Sequence, residues 1–348
     1  MRNGYAAFSM LIACAVAGCQ GAGGDRPGIA TSTAGAADTA ALEKLLAYVR
    51  NQNTTGFLVI KDNVTLIQQN WAAPDDRLFS MFDYGATDQG ELREDVASQQ
   101  KSFVAVLVGI AIDRGLIDVE QPVSRYLGTG WSKASPEQEA PILVAHILAM
   151  NSGLNEKLEY EAPAGTRFFY NTPAYAVSKQ ILAAASGLSL DAMTSAWLTE
   201  PLAMTDTQWR KRPAALGDVG NNTGLVTTPG DTARFGAMIL SGGLGPAGNR
   251  IISDKELRKL FVPSATNPAY GRLWWLNGSD HVVRAGAARR DGPLISTAPS
   301  DLVAALGFLD RRLYVVPSLD LIVVRTGAKA PDEHFDEQLW QRLLPLVR

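Results

Sequence analysis

Apolar residues recur at Leu42, Leu45, Leu46 and Val49, the i, i+3, i+4, i+7 spacing of a helix with one buried stripe. Two short runs rich in apolar and β-branched residues follow, Gly56–Ile60 and Val64–Gln68. They flank Lys61-Asp62-Asn63, which predicts a hairpin. From about residue 95 to 260 the pattern is mainly helical, with Phe103–Arg114, Ala145–Met150 and Ala174–Ala185 as its clearest pieces. Extended segments return at Arg272–Asn277, Leu313–Val316 and Leu321–Arg325. A last helix over Asp332–Leu344 carries Phe335, Leu339 and Leu343 on one stripe.

Strands at both ends of a chain with helices outside them can pair into one antiparallel sheet. The expected fold is therefore α+β: an antiparallel sheet flanked by N- and C-terminal helices, plus a mainly helical second region. The cleft between the two is where a small molecule would bind. The first residues read differently. Arg2 precedes an apolar run, Ala6–Val16, too short to span a bilayer comfortably, and Val16-Ala17-Gly18-Cys19 resembles the lipobox of bacterial lipoproteins. That resemblance implies a signal peptide over 1–18 and lipid attachment at Cys19. It places the protein in the bacterial cell envelope, membrane-held through its lipid and facing the periplasm, with the outer membrane favoured in a Gram-negative source. Small residues and the lack of periodicity over 19–38 predict a flexible tether, leaving 39–348 as the folded domain.

Composition narrows the chemistry. The 348 residues are 46% hydrophobic and 19% charged with a net charge of −3, so a large core is available and nothing global favours nucleic acid. The cysteines are Cys14 and Cys19, which leaves the folded part without disulfides or thiolate sites. The 3 histidines, His146, His281 and His334, lie far apart and form no metal-binding pair, so neither metal nor cofactor is expected. His146 reads as a packing histidine, and Asp231 with Arg234 as a structural pair on a helix.

Ser98-Gln99-Gln100-Lys101 is the one Ser-x-x-Lys in the chain. If Ser98 opens a helix, i and i+3 share a face and the lysine amine reaches the serine hydroxyl. A serine is a weak nucleophile until a base takes its proton, and a lysine of depressed pKa can be that base. Tyr170, in the turn-rich stretch Gly165–Thr172, is a candidate proton shuttle, with Tyr160 and Tyr175 as competitors.

These residues sit in a longer series. Ser98-x-x-Lys101-Ser102 resembles the nucleophile motif of the serine β-lactamase and penicillin-binding-protein-like superfamily. So do Asp113-Arg114-Gly115 through Pro122–Leu127, the segment Ile147–Leu154, the segment Pro163–Tyr175, Glu200–Thr207, Gly224–Thr228 with Asp231, and Tyr270–Trp275. The resemblance covers about residues 40 to 345 and is strongest to the branch of class C β-lactamases, related esterases and 6-aminohexanoate-oligomer hydrolases. It implies a β-lactamase/transpeptidase-like fold and a serine hydrolase working through an acyl-enzyme. Ser98, Lys101 and Tyr170 are then catalytic, and the N–H groups of Ser98 and Phe308 form the oxyanion hole. Thr172, Gly307 and Trp274 line the substrate.

Two departures bear on substrate. The family's Tyr-x-Asn becomes Tyr170-Asn171-Thr172, with threonine in the asparagine slot. The Lys/His-Thr-Gly strand motif, expected ten residues before Pro317, is Ala305-Leu306-Gly307, of which only the glycine remains. Arg325-Thr326-Gly327 resembles that motif by composition but comes too late in the chain. Losing the cation removes a partner for a substrate carboxylate, so an ester is the favoured substrate. An amidase on β-lactams, D-amino-acid peptides or aminohexanoate-like oligomers is the alternative, and a catalytically silent envelope-binding lipoprotein is a third reading.

Overall fold

The computed structural model describes residues 36–217 and 221–348; the expected leader, Cys19 and nearly all of the expected tether lie outside that range. Helix α1 (Ala36–Arg50) buries Leu45 and Val49 as its stripe requires. The predicted hairpin is β1 (Thr54–Lys61) and β2 (Val64–Asn70). It turns through Asp62 and Asn63, both at positive φ, 50° and 60°. Two left-handed residues make the tight turn whose twist suits paired strands, and Asp and Asn tolerate it best among non-glycines.

The C-terminal part supplies β7 (Trp275–Leu276), β10 (Val303–Gly307), β11 (Arg311–Val316) and β12 (Leu321–Gly327). They complete a six-stranded antiparallel sheet in the order β2-β1-β12-β11-β10-β7. β1 pairs with β12 across the length of the chain, Val59 opposite Val323. The strands are apolar on both faces because both faces are covered. Leu313 points to helix α4 (Pro229–Leu240), where a side chain at Gly236 would stand 3.0 Å from Leu313 and 2.9 Å from Ile322. Its neighbour Tyr314 points the other way and meets Trp340 of α5 (Phe335–Val347) edge-on, with ring centroids 5.4 Å apart. α1 lies beside α5 through the Tyr48–Phe335 stack. α5 starts three residues later than its pattern predicts, because the Asp332 carboxylate accepts the His334 N–H at 2.8 Å and holds that stretch in a turn.

The second region is mainly helical, around α2 (Gln100–Asp113) and α3 (Thr172–Ser186). α2 is buried on all sides from Gln100 to Ala111, which is why its sequence is apolar all round rather than striped. A four-stranded sheet that the sequence pattern does not predict, β3 (Asp83–Ala86), β4 (Leu92–Asp95), β6 (Thr223–Thr227) and β5 (Gln208–Lys211), lies against this region. The fully buried Glu94–Arg311 ion pair, at 2.8 Å, ties β4 to β11 of the main sheet. A two-stranded ribbon, β8 (His281–Val283) and β9 (Arg289–Asp291), completes the sheet structure among the described residues.

Candidate active site

Ser98 sits in a single 3-10 turn, Ala97–Gln99, that runs directly into α2. Ala97 is held at φ 50°, a conformation costly for a residue with a Cβ. Two bonds hold it: the Ala97 N–H donates to Asp95 Oδ1 at 2.8 Å, and the Gln99 N–H donates to the Val96 carbonyl at 3.1 Å. The turn leaves Ser98 partly accessible and places Lys101 one helical turn on, within the core.

The Lys101 amine donates to Ser98 Oγ at 2.9 Å and reaches Thr172 Oγ1 at 3.4 Å. Burial pushes its pKa down to about 7, and the Arg212 guanidinium adds to the effect. A lysine in this state has a lone pair available near neutral pH. Burial pushes the Tyr170 pKa up to about 12, against the pull of the Ser98 side chain. Tyr170 therefore holds its proton where Lys101 does not. Its ring stacks on Trp275 at 5.8 Å and meets Tyr270 edge-on at 6.1 Å. Of the competing tyrosines, Tyr160 is on the surface, and Tyr175 lies buried with Lys101 Nζ 4.8 Å from its ring centroid.

The altered Tyr-x-Asn motif has a local explanation. Asn171 caps α3, accepting the Ala174 N–H at 3.0 Å, while its amide donates to the Leu154 and Asn155 carbonyls at 2.8 Å each. A side chain so occupied cannot turn to the serine, and Thr172, at the first position of the helix, faces Lys101 instead.

Ala305-Leu306-Gly307 forms the end of β10. A Cβ at Gly307 would overlap the Val96 carbonyl oxygen, so the strand rides directly on the turn that carries Ser98. The Gly307 carbonyl accepts from Arg312 Nη1 at 3.2 Å. Because the peptide is trans, this pins the Phe308 N–H in the opposite direction. The Phe308 side chain is exposed and lies 6.0 Å from the Phe82 ring. Arg325-Thr326-Gly327 is elsewhere: Arg325 is wholly buried and donates to the carbonyls of Ala328, Leu309 and Gln52.

Trp274 requires a correction. It is fully buried between Phe235, stacked at 6.1 Å, and Phe261, edge-on at 5.3 Å, so it belongs to the core and cannot line a substrate. The expected strand over Arg272–Asn277 is broken at Leu273, where φ is 59°, and only Trp275 and Leu276 pair with β10. Trp275 is thus the tryptophan that reaches Tyr170. His146 takes the packing role: its Nδ1 accepts the Leu143 N–H at 3.1 Å, and burial holds its pKa down. Asp231 binds Arg234 at 2.8 Å and accepts the Asp206 N–H at 2.8 Å, a structural pair as read.

Sequence reasoning did not single out Gln100, Lys179 or Arg212, which crowd the far side of Lys101. A signal existed for Lys179: it shares the stripe of Tyr175, Ser178 and Leu182, the buried face of α3, where a lysine is out of place.

The family model described as Beta-lactamase matches residues 57–344, which brackets every element of this site. The chain is 23% identical over 324 residues to the 6-aminohexanoate-dimer hydrolase of Paenarthrobacter ureafaciens, spanning 79% of this chain and 72% of that protein. Among solved structures it is similar to a β-lactamase from Mycobacterium bovis, with 18% identity and a TM-score of 0.63, covering 88% of this chain and all of that one. It is likewise similar to a family VIII carboxylesterase, with 13% identity and a TM-score of 0.64, covering 91% of this chain and 98% of the other. With the fold, the motif order and the match over most of its length in agreement, the chain belongs to the Beta-lactamase family of the serine β-lactamase and penicillin-binding-protein-like superfamily.

Proposed function

We propose that the protein is a serine hydrolase that cleaves esters through an acyl-enzyme. The observation that carries this reading is the 2.9 Å bond from a buried lysine amine, with its pKa pushed to about 7, to the hydroxyl of a serine at a helix start. Ser98 Oγ attacks the ester carbonyl carbon as its proton passes to Lys101 Nζ. The Ser98 and Phe308 N–H groups receive the developing oxyanion. The bond to the alcohol then breaks as the Tyr170 hydroxyl gives that oxygen a proton, which Lys101 restores. Water repeats the sequence on the acyl-enzyme, releasing the acid and Ser98. Thr172 holds the Lys101 amine in line, and Trp275 fixes the Tyr170 ring.

An ester is favoured because the third motif has alanine where a cation would hold a substrate carboxylate. Ala305 is itself fully buried, and its neighbour Leu306 is apolar. The printed name of the Paenarthrobacter relative, a hydrolase of 6-aminohexanoate dimer, supports an amide as the second reading. Steady-state kinetics on p-nitrophenyl acetate and on nitrocefin separate them. A missing charged contact is worth roughly tenfold to hundredfold, so kcat/KM on nitrocefin falls below that on the ester by about that factor. Faster turnover of nitrocefin would overturn the ester assignment. Attachment to the envelope through a lipid on Cys19 is part of the proposal; loss of palmitate incorporation and of membrane fractionation in Cys19→Ala tests it.

A further inference from the structure

Lys179 has no part in the steps above, yet it is buried within reach of both helices that carry them. Its amine donates to Gln100 Oε1 at 3.2 Å, Asn221 Oδ1 at 2.7 Å, and the Thr223 carbonyl and hydroxyl at 3.2 and 3.1 Å. Gln100 precedes Lys101 in the first turn of α2; Lys179 belongs to α3, which opens with Thr172; Thr223 begins β6. One amine therefore joins three elements behind the Ser98–Lys101 pair. Below it lies the Trp209 ring, centroid 4.4 Å away, and Tyr175 stands between the two lysines, its centroid 4.8 Å from Lys101 Nζ and 5.4 Å from Lys179 Nζ.

Charge is arranged in the same way. Arg212 donates to the Asn221 carbonyl at 3.1 Å and forms a two-pronged pair with Asp95 at 2.7 and 2.9 Å; Asp95 also holds the Ala97 N–H of the serine turn. The groups facing the two amines are thus Arg212 and Asp95 from β6's neighbourhood and β4, the rings of Tyr170 and Tyr175 from the α3 side, and Ser98 and Gln100 from the α2 side. Asp95 is the carboxylate among them, and Arg212 engages both of its oxygens.

We propose that Lys179 is a positioning residue for the Ser98–Lys101 pair: through Gln100, Asn221 and Thr223 it locks the first turn of α2 to α3 and β6, and it places a second basic nitrogen behind Lys101. Four oxygens, on Gln100, Asn221 and the Thr223 carbonyl and hydroxyl, surround the amine, so either protonation state finds partners. Burial, with Arg212 and Lys101 nearby, lowers its pKa to about 6, while burial and Arg212 set that of Lys101; Lys179 therefore holds the turn through its bonds.

This inference rests on the proposed hydrolase reading, and the test keeps the two apart. The first readout is the pH profile of kcat/KM on p-nitrophenyl acetate for the parent and Lys179→Met. The expected result is kcat on the plateau lowered about tenfold to hundredfold by loss of the lock, with KM and the acid limb unchanged and with Gln100→Met adding little in the double variant. A loss borne by KM, a Gln100→Met effect that multiplies in full, or a parental profile would overturn the proposal. Should Lys179→Met not fold, Gln100→Met cuts the link to α2 alone and keeps the amine. It lowers the plateau and leaves the limb in place; a parental plateau would overturn the lock. The second readout needs no turnover: NMR of lysine-labelled protein, with the Lys179 signal assigned by its loss in Lys179→Met. Its midpoint rises in Lys101→Met, because the Lys101 charge is one of the groups that hold it down, even where no Ser98-dependent hydrolysis is found, and a fixed midpoint refutes the placement of Lys179 behind Lys101.

Discussion

Gly307→Ala puts the contact between β10 and the serine turn under load. An added Cβ would overlap the Val96 carbonyl oxygen and stand 3.0 Å from Arg311 Cβ and 3.4 Å from Gln99 Cβ. None of these neighbours yields easily. The Val96 carbonyl is backbone and accepts the Gln99 N–H that closes the turn. Arg311 is fixed by Glu94 at 2.8 Å and by the Phe308 carbonyl at 3.1 Å. Strand and turn must therefore separate, and overpacking of this kind costs about 1–3 kcal/mol. The same separation widens the gap between the Ser98 and Phe308 N–H groups, and a misplacement of about 1 Å at a reacting centre costs about 100-fold in rate. Two assays read the two effects: the urea midpoint, and kcat/KM on p-nitrophenyl acetate per folded molecule. The expected result is a modest fall in midpoint with a loss of activity near 100-fold. A folded alanine variant with parental midpoint and parental turnover would refute the placement of β10 against the nucleophile.

Other predictions follow from the same geometry. As the proposed base, Lys101 works only when neutral and is protonated below its pKa of about 7, so the proposal predicts that kcat/KM on p-nitrophenyl acetate falls about tenfold per pH unit below that point. With Tyr170 held up to about 12, the activity stays level on the alkaline side well past neutrality. Arg212→Met leaves Asp95 buried without its partner and lowers unfolding free energy in urea by about 3–5 kcal/mol. Trp274→Ala opens a core cavity and costs about 3–5 kcal/mol in the same assay. Trp275→Ala opens a comparable cavity and in addition frees the Tyr170 ring, so kcat on p-nitrophenyl acetate per folded molecule falls as well as the urea midpoint.

Where local pattern dictates structure, the sequence was readable. The stripe of α1, the Asp62-Asn63 turn and the apolar runs of β11 and β12 each depend on neighbours within a few residues, and so does the Ser98–Lys101 spacing, which one helical turn guarantees. The small sheet β3-β4-β6-β5 was not readable. Asp83-Tyr84-Gly85-Ala86 has no alternation, and although it pairs with its neighbour β4, the sheet forms only when β4 meets β6 far along the chain, Glu94 opposite Thr227. Trp274 was misplaced for a different reason: a single left-handed residue, Leu273, breaks an extended run and changes which tryptophan meets the site. Lys179 stands out on its apolar stripe, but its partners, Gln100, Asn221 and Thr223, come together only through the tertiary fold.

The central claim is that Ser98 is an activated nucleophile. Intact-mass detection of covalent labelling by a fluorophosphonate probe, on protein lacking residues 1–19 with Ser98→Ala beside it, tests that most directly. One adduct per chain on the parent and none on the variant is the predicted result. A folded parent that takes no adduct and hydrolyses no small ester, or a variant labelled as fast as the parent, would contradict it.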